Sequence, residues 1–233
     1  MKSEVSPSPR IQRRQQRNRD AMLDAAEQLF ADHGYDGLRV DDIAETADVS
    51  TGTVYVHFGN KEGVIAAAAG RILDRAEHYM AMAYVVSDSP IEQVAATGAA
   101  YHNLLEDHPF LVRFLVAEIT TLPDDPALES IHARITALHE QLAATIDAAI
   151  AAGQITPIDS QQMATFLLGA WNGVHALSAR LGLAGTRPED VRDCLDQARR
   201  VLLTGIATEA ASDWRLLPVP RPSKTEDAAD PIE

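Results

Sequence analysis

Apolar residues recur along this chain at intervals of three and four, the period of an α-helix, and no segment alternates in the two-residue rhythm of a strand. The pattern predicts an all-α protein of about nine helices. Met22, Leu23, Ala26, Leu29 and Phe30 mark the first, which His33-Gly34 should end because glycine enters the left-handed conformation freely. A short helix follows with Val40, Ile43, Ala44 and Ala47 on one face. A third begins after Ser50 and runs to about Phe58, and a fourth begins after Asn60; each cap offers a side-chain oxygen to the first free amides. Beyond residue 85, Ser89-Pro90, His108-Pro109, Asp125-Pro126 and Thr156-Pro157 each put proline at a first helical position, where its missing N–H costs nothing. Ser89 with Glu92 and Thr186 with Glu189 add capping-box spacing. The helices expected here run over about 90–107, 109–121, 126–152, 157–182 and 187–210. After Trp214 the prolines and acids read as an extended or disordered tail.

Composition narrows the class. With 46% hydrophobic residues the chain can bury a core, and its 233 residues suit one small domain and one larger one. No apolar run reaches the roughly 18 to 20 residues of a membrane span, and the first twenty residues lack the apolar core of a signal peptide. The expectation is a soluble, cytoplasmic protein. A single cysteine, Cys194, allows no internal disulfide and is expected as a buried, inert thiol beside Val191 and Leu195.

The net charge of −14 argues, taken globally, against a nucleic-acid partner. Its distribution changes that picture. Residues 1–62 hold 8 Lys/Arg against 11 Asp/Glu, and the remainder 12 against 23, so most of the acidity lies outside the N-terminal quarter. There, Arg10, Arg13, Arg14, Arg17 and Arg19 precede Asp20 as a basic block that suits a phosphate backbone or minor groove, or a solvated tail.

Two short helices separated by Asp48-Val49-Ser50 within Val40–Phe58 have the arrangement that lets a second helix enter a major groove while the first braces across the backbone. Ile43, Ala44, Val49, Val54 and Phe58 join them, leaving small or hydrogen-bonding residues on the second: Thr51, Gly52, Thr53, Tyr55 and His57. By physics alone the same pattern describes a packed helical hairpin with a polar outer face. However, Asp24-Ala25-Ala26-Glu27-Gln28-Leu29-Phe30, Gly34-Tyr35, Asp42-Ile43-Ala44, Val49 through Phe58 and Asn60-Lys61-Glu62 closely resemble the TetR-family DNA-binding signature in order and spacing, over about residues 18–70. The resemblance implies that Thr51–Phe58 is a recognition helix. Thr51, Gly52 and Thr53 would approach bases, Tyr55 and His57 phosphates, and Lys61 a phosphate from the start of the fourth helix. Ser50 at the cap and Arg39 before the second helix complete the candidate DNA-binding set. Two departures stand out: Arg39 replaces the family's Thr or Ser, so a neutral cap contact gives way to a charged one or to none, and Asp48 replaces its turn glycine.

The resemblance also implies that the later helices bind a small-molecule effector and form a homodimer. The domain reading is then a basic, flexible arm over 1–15, a helix-turn-helix domain over 16–62, an effector-binding and dimerisation domain over 63–212 and a Pro-rich acidic tail over 213–233. Gly169, Gly173 and Ala176 make a small-residue face, and Val191, Leu195, Ala198, Leu202 and Ile206 a stripe near the heptad period; both suit an interface or an internal core. Tyr101, Leu105, Phe110, Phe114, Glu118, Trp171 and His175 are candidate effector contacts, aromatic walls with a few polar groups, although each also suits simple packing. The histidine spacing disfavours a metal sensor, and no cofactor is expected. No phosphate-cradling loop, nucleophile elbow or metal spacing favours an enzyme. The sequence thus reads as a DNA-binding repressor released by a small molecule, the alternatives being a helix-turn-helix scaffold acting through protein partners and an unrecognised helical enzyme.

Overall fold

A computed structural model describes residues 8–108, 110–111, 126–179 and 190–222. The described residues form eight α-helices: α1 (Pro9–Gly37), α2 (Val40–Thr46), α3 (Thr51–Phe58), α4 (Lys61–Val85), α5 (Pro90–Asp107), α6 (Pro126–Ala151), α7 (Ser160–Ala179) and α8 (Val191–Ile206). A short 3-10 turn, Glu209–Ala211, follows, and an isolated antiparallel bridge joins Ile155 to Ala207.

Gly34 departs from helical geometry as expected, with φ 71, but one more turn follows it, so α1 closes at Gly37. At its other end α1 starts at Pro9, with proline in the first turn; residues 9–15, expected as a basic arm, are helical. Asn60 caps α4 by accepting from the Gly63 amide at 2.7 Å. The capping box at Ser89 does not close. Its Oγ accepts from Gln154, while Glu92 accepts from the Ser87 hydroxyl and the Arg215 amide, so two tertiary contacts outcompete the local one. Pro157 does not open α7 either: the Thr156 amide donates to Ile206 O at 2.9 Å, holding that segment extended beside Ala207. The helix instead begins at Ser160, after Asp159 accepts from the Gln162 amide. The helix expected over 109–121 and the Thr186–Glu189 box lie outside the described residues, apart from Phe110 and Leu111.

One cluster of buried side chains runs from Met22 to Leu203, and α4 carries it from one end of the molecule to the other. Eleven α4 residues between Val64 and Ala83 are buried. Ion pairs fix what packs on α4: Arg71 bonds Glu27 and Asp24 of α1, and Arg134 of α6 reaches Glu77, Asp74 and the Gly70 carbonyl. Residues 214–222 are extended, as expected, but packed. Trp214, Leu216 and Val219 lie against the core, the Asn103 amide donates to Val219 O, and Arg221 pairs with Glu106 and Asp107. The strap therefore follows α5 from Glu92 to Asp107.

Candidate nucleic-acid interface and interior cavity

Helices α2 and α3 meet across a turn in which Asp48 has φ 52, the left-handed region that aspartate enters more readily than most residues. The Val49 amide closes it on Ala44 O at 3.0 Å. Ser50 Oγ then accepts from the Thr53 amide at 3.2 Å and shares a 2.8 Å bond with the Thr53 hydroxyl, capping α3. Arg39 makes no cap bond; its guanidinium stands 3.9 Å from the Asp41 carboxylate. Buried Val54 and partly buried Phe58 anchor α3, and the Arg19 guanidinium of α1 lies 4.7 Å from the Phe58 ring centre.

The face that α3 turns outward is Gly52, Tyr55, Val56 and Gly59, a run at helical spacing; Tyr55 is 50% and Val56 85% exposed. Thr51, Thr53 and His57 flank it, half-buried. The sequence reading missed Val56. Its signal was position: the anchors Val54 and Phe58 fix the inner face, and two residues on from Val54 a side chain points the other way. Thr51 donates its hydroxyl to Asp41 Oδ1 at 3.0 Å. The Lys61 ammonium, expected at a phosphate, donates to Tyr35 O at 2.5 Å and stands 4.1 Å from the Tyr35 ring centre. Tyr35 in turn donates to Glu62 at 2.7 Å, so these groups bind the end of α1 to the start of α4. A phosphate has to share or displace that lysine.

In the larger half, a cavity of about 40 Å³ lies between α4, α5, α6 and α7. Ala76, Met80 and Tyr84 of α4 form one wall, with Thr97, Tyr101, Leu142 and Trp171 among the others. The structure brings the predicted Tyr101 and Trp171 together, ring centres 5.7 Å apart, and Tyr101 donates to Asn172 at 2.6 Å. Leu105 is buried elsewhere; Leu104 lines the cavity instead, one position round α5. Phe110 packs on Phe30 of α1, ring centres 4.7 Å apart. Phe114 and Glu118 lie outside the described residues. His175, one turn beyond Trp171, faces away from the cavity toward His102, with Nε2 and Nδ1 3.2 Å apart. Gly98 makes this join of α5, α7 and α8 possible: a Cβ there would stand 2.4 Å from Arg199 Cδ and 3.0 Å from Trp171.

Burial holds both imidazoles below their ordinary range, His102 down to about 4 with Arg192, His175 and Arg199 adding to the effect and Glu106 opposing it. Unfolded, these histidines titrate near 6.5. A depressed folded value means that the unfolded chain binds more protons as the pH drops below that point, so stability should fall between about pH 6.5 and 4. Urea unfolding across that window should show the loss, and His102→Leu should flatten it; an unchanged slope in the variant removes His102 as its source.

Along α7, Phe166, Gly169, Gly173 and Leu177 are exposed on one face, and along α8 so are Cys194, Ala198, Val201 and Gly205. Phe166 is 58% and Val201 69% exposed. This selects the internal-core alternative for most of the α8 stripe and corrects the expectation for Cys194. Val191 and Leu195 are buried with Arg199 and Leu203 on the inner face of α8, and Leu202 and Ile206 are partly buried against the core, so only Ala198 of the expected stripe faces out. Cys194 is exposed. The reason is Arg199, whose buried guanidinium donates to Ala95 O and pairs with Asp196, turning the helix's apolar register inward around it.

Among the described residues no helix is long and apolar enough to cross a membrane, and no group of three or more His, Cys, Asp and Glu is placed to hold a metal. The family model for bacterial regulatory proteins of the tetR family matches residues 22–68, spanning α1 through α4's first turns. The HTH-type transcriptional repressor ComR of Escherichia coli K12 is 32% identical over 174 residues, covering 71% of this chain and 80% of that one. The ketosteroid transcriptional regulator KstR2 of Mycobacterium tuberculosis shares the fold, with a TM-score of 0.67 at 23% identity over 82% of this chain and 95% of that one. So does FadR of Bacillus subtilis, solved with stearoyl-CoA, with a TM-score of 0.65 at 19% identity over 80% and 98%. A helix-turn-helix capped and braced in this way, with a relative so similar over four-fifths of its length, makes the chain a member of the TetR family of DNA-binding transcriptional regulators.

Proposed function

We propose that the protein is a repressor that grips a two-fold operator as a homodimer and lets go when a small-molecule effector places an apolar part in the cavity beside α4. The observation that carries the DNA contact is the outward face of α3, where Tyr55 and Val56 stand exposed on a helix otherwise anchored by Val54 and Phe58. In this reading Thr51, Gly52, Thr53 and Val56 meet base edges, valine suiting a thymine methyl, while Ser50, Tyr55, His57, Arg39 and a released Lys61 meet phosphates. The apolar lining of the cavity, and the acyl-CoA in the FadR structure, support an effector with a substantial apolar part. Gel shifts with DNA upstream of the protein's own gene test the core of the reading; no shift with that DNA or with any duplex from a random pool rejects it.

Thr51 gives a finer test. A carboxylate only accepts, so in the 3.0 Å bond to Asp41 the threonine must donate, and its free lone pairs can only accept. A base facing it is then expected to offer an amino group, adenine N6 or cytosine N4. Asp41→Ala releases the hydroxyl to donate, and selection from random duplexes should show guanine or thymine rising about 3- to 10-fold at one position of each half-site, the worth of a single hydrogen bond. Thr51→Ala should abolish preference there. A Thr51→Ala protein with unaltered preferences takes Thr51 off the bases.

A further inference from the structure

The first turns of α1 form a cationic rod that nothing in the fold explains. Arg10, Arg13, Arg14 and Arg17 fall at i, i+3, i+4 and i+7, so they share one side of the helix. That side is opposite the one that buries Met22, Ala26 and Phe30, and residues 8–17 are exposed all round. No acidic residue occurs from 8 to 19; the next, Asp20, accepts a hydrogen bond from Gln16. Packing therefore does not account for the arginines. Their neighbours, glutamine and arginine, are good helix formers, and Pro9 suits the first turn, so the segment holds its shape without a packed face.

Where the rod stands is fixed by Arg19, whose guanidinium covers the ring of Phe58, the last residue of α3. From there back to Pro9 is ten residues, about 15 Å of helix, so the rod starts from a residue in contact with the end of the recognition helix. The stripe from Arg10 to Arg17 is about 10 Å long, commensurate with a few successive phosphates on one strand.

We infer that this rod binds the phosphates of the duplex flanking each half-site, so that the protein covers more DNA than its recognition helices touch and gains affinity that is independent of flank sequence. The inference rests on α3 being seated on the operator. A lipid surface is the competing anionic partner, but the junction with Phe58 ties the rod to the element that meets DNA.

The test compares the wild type with the fourfold variant Arg10→Gln, Arg13→Gln, Arg14→Gln, Arg17→Gln, glutamine preserving helix propensity. Each is titrated, at about 50 and 200 mM salt, with its selected operator trimmed to the two half-sites and with the same operator extended by random flanks of about eight base pairs. The wild type should bind the extended duplex at least tenfold tighter at low salt, and the variant should bind both alike. The slope of log affinity against log salt should shrink by about three units per bound protomer in the variant, near 0.9 for each phosphate that is no longer neutralised. Helix content by circular dichroism should be unchanged. If the wild type binds the operator with no preference for flanks, and the variant keeps its salt slope, the rod has no DNA role. Arginine-dependent binding to phosphatidylglycerol vesicles without flank dependence also overturns the inference. A wild type that binds no duplex at all condemns the operator reading itself, a different failure from the first.

Discussion

Gly173→Leu should leave a folded monomer whose affinity for operator DNA is at least about 100-fold below wild type, because the second half-site is no longer delivered by the same particle. Within the described part of a single chain the substitution is expected to be tolerated. A Cβ built on Gly173 has nothing within 4 Å among the described residues, as on Gly169 and Gly205, and the position is exposed, so a leucine side chain starts into open space. It also favours a helix over glycine by up to about 1 kcal/mol, so thermal stability should hold or rise. The cost falls only on an approach from outside. Gly169 and Gly173 on α7, with Ala198 and Gly205 on α8, lie between exposed Phe166, Leu177 and Val201: small residues that let backbones come close, rimmed by apolar ones that gain from being covered. In the proposed homodimer a two-fold pairing of this face would be self-complementary and would present two α3 helices to one duplex. One helix reads too few base pairs to select a genomic site. Sedimentation velocity measures the first consequence and gel shift the second. A Gly173→Leu protein that sediments as a dimer would falsify the interface assignment.

The glycines also show what could be anticipated from sequence. Gly169 and Gly173 were legible as a small-residue face because helical periodicity brings them together. Their partners on α8 were not, since the choice between two neighbouring stripes depended on Arg199: a charged residue is ordinarily placed outside, yet here it is buried against Ala95 O and marks the inner face. Gly98 looked ordinary in sequence, yet a Cβ there would stand 2.4 Å from Arg199 Cδ, a fact of which helices cross there. The helix-turn-helix was readable in detail because its requirements are local: a cap at Ser50, a left-handed turn at Asp48, anchors at fixed spacing. The cavity was half readable. Tyr101 and Trp171 proclaim themselves as large aromatics on helices, but whether Leu104 or Leu105 faces the same space is a rotation of about 100°, settled by tertiary packing. The commitment of Lys61 to Tyr35 O followed from Gly34, whose φ of 71 turns the end of α1 toward α4.

Ala76→Leu should behave as though effector were permanently present, lowering operator affinity about 5- to 150-fold without ligand, the usual range of coupling between two sites. Ala76 is buried on α4 and faces a cavity of about 40 Å³. Leucine adds three carbons at this buried position, and they either fill the cavity or press on its α5, α6 and α7 walls. Met80 and Tyr84 lie on the same helix, which follows directly on α3 and is tied to α1 by Lys61 in its first turn and by Arg71 with Glu27 further along. Under the proposed function a displacement of α4 near Ala76 would carry the recognition helix with it, and in a dimer it would alter the separation of the two heads. Overpacking costs about 1–3 kcal/mol, which a protein of this size survives. Trp171→Ala makes the opposite change. It enlarges the cavity at a cost of about 3–5 kcal/mol, and the protein, if it retains its helix content, should bind operator as before while responding weakly to effector. Measured side by side at one salt concentration, the two variants should move operator affinity differently although both alter the same cavity. If Ala76→Leu remains folded and dimeric and binds operator as the wild type does, the cavity is not coupled to α3 through α4.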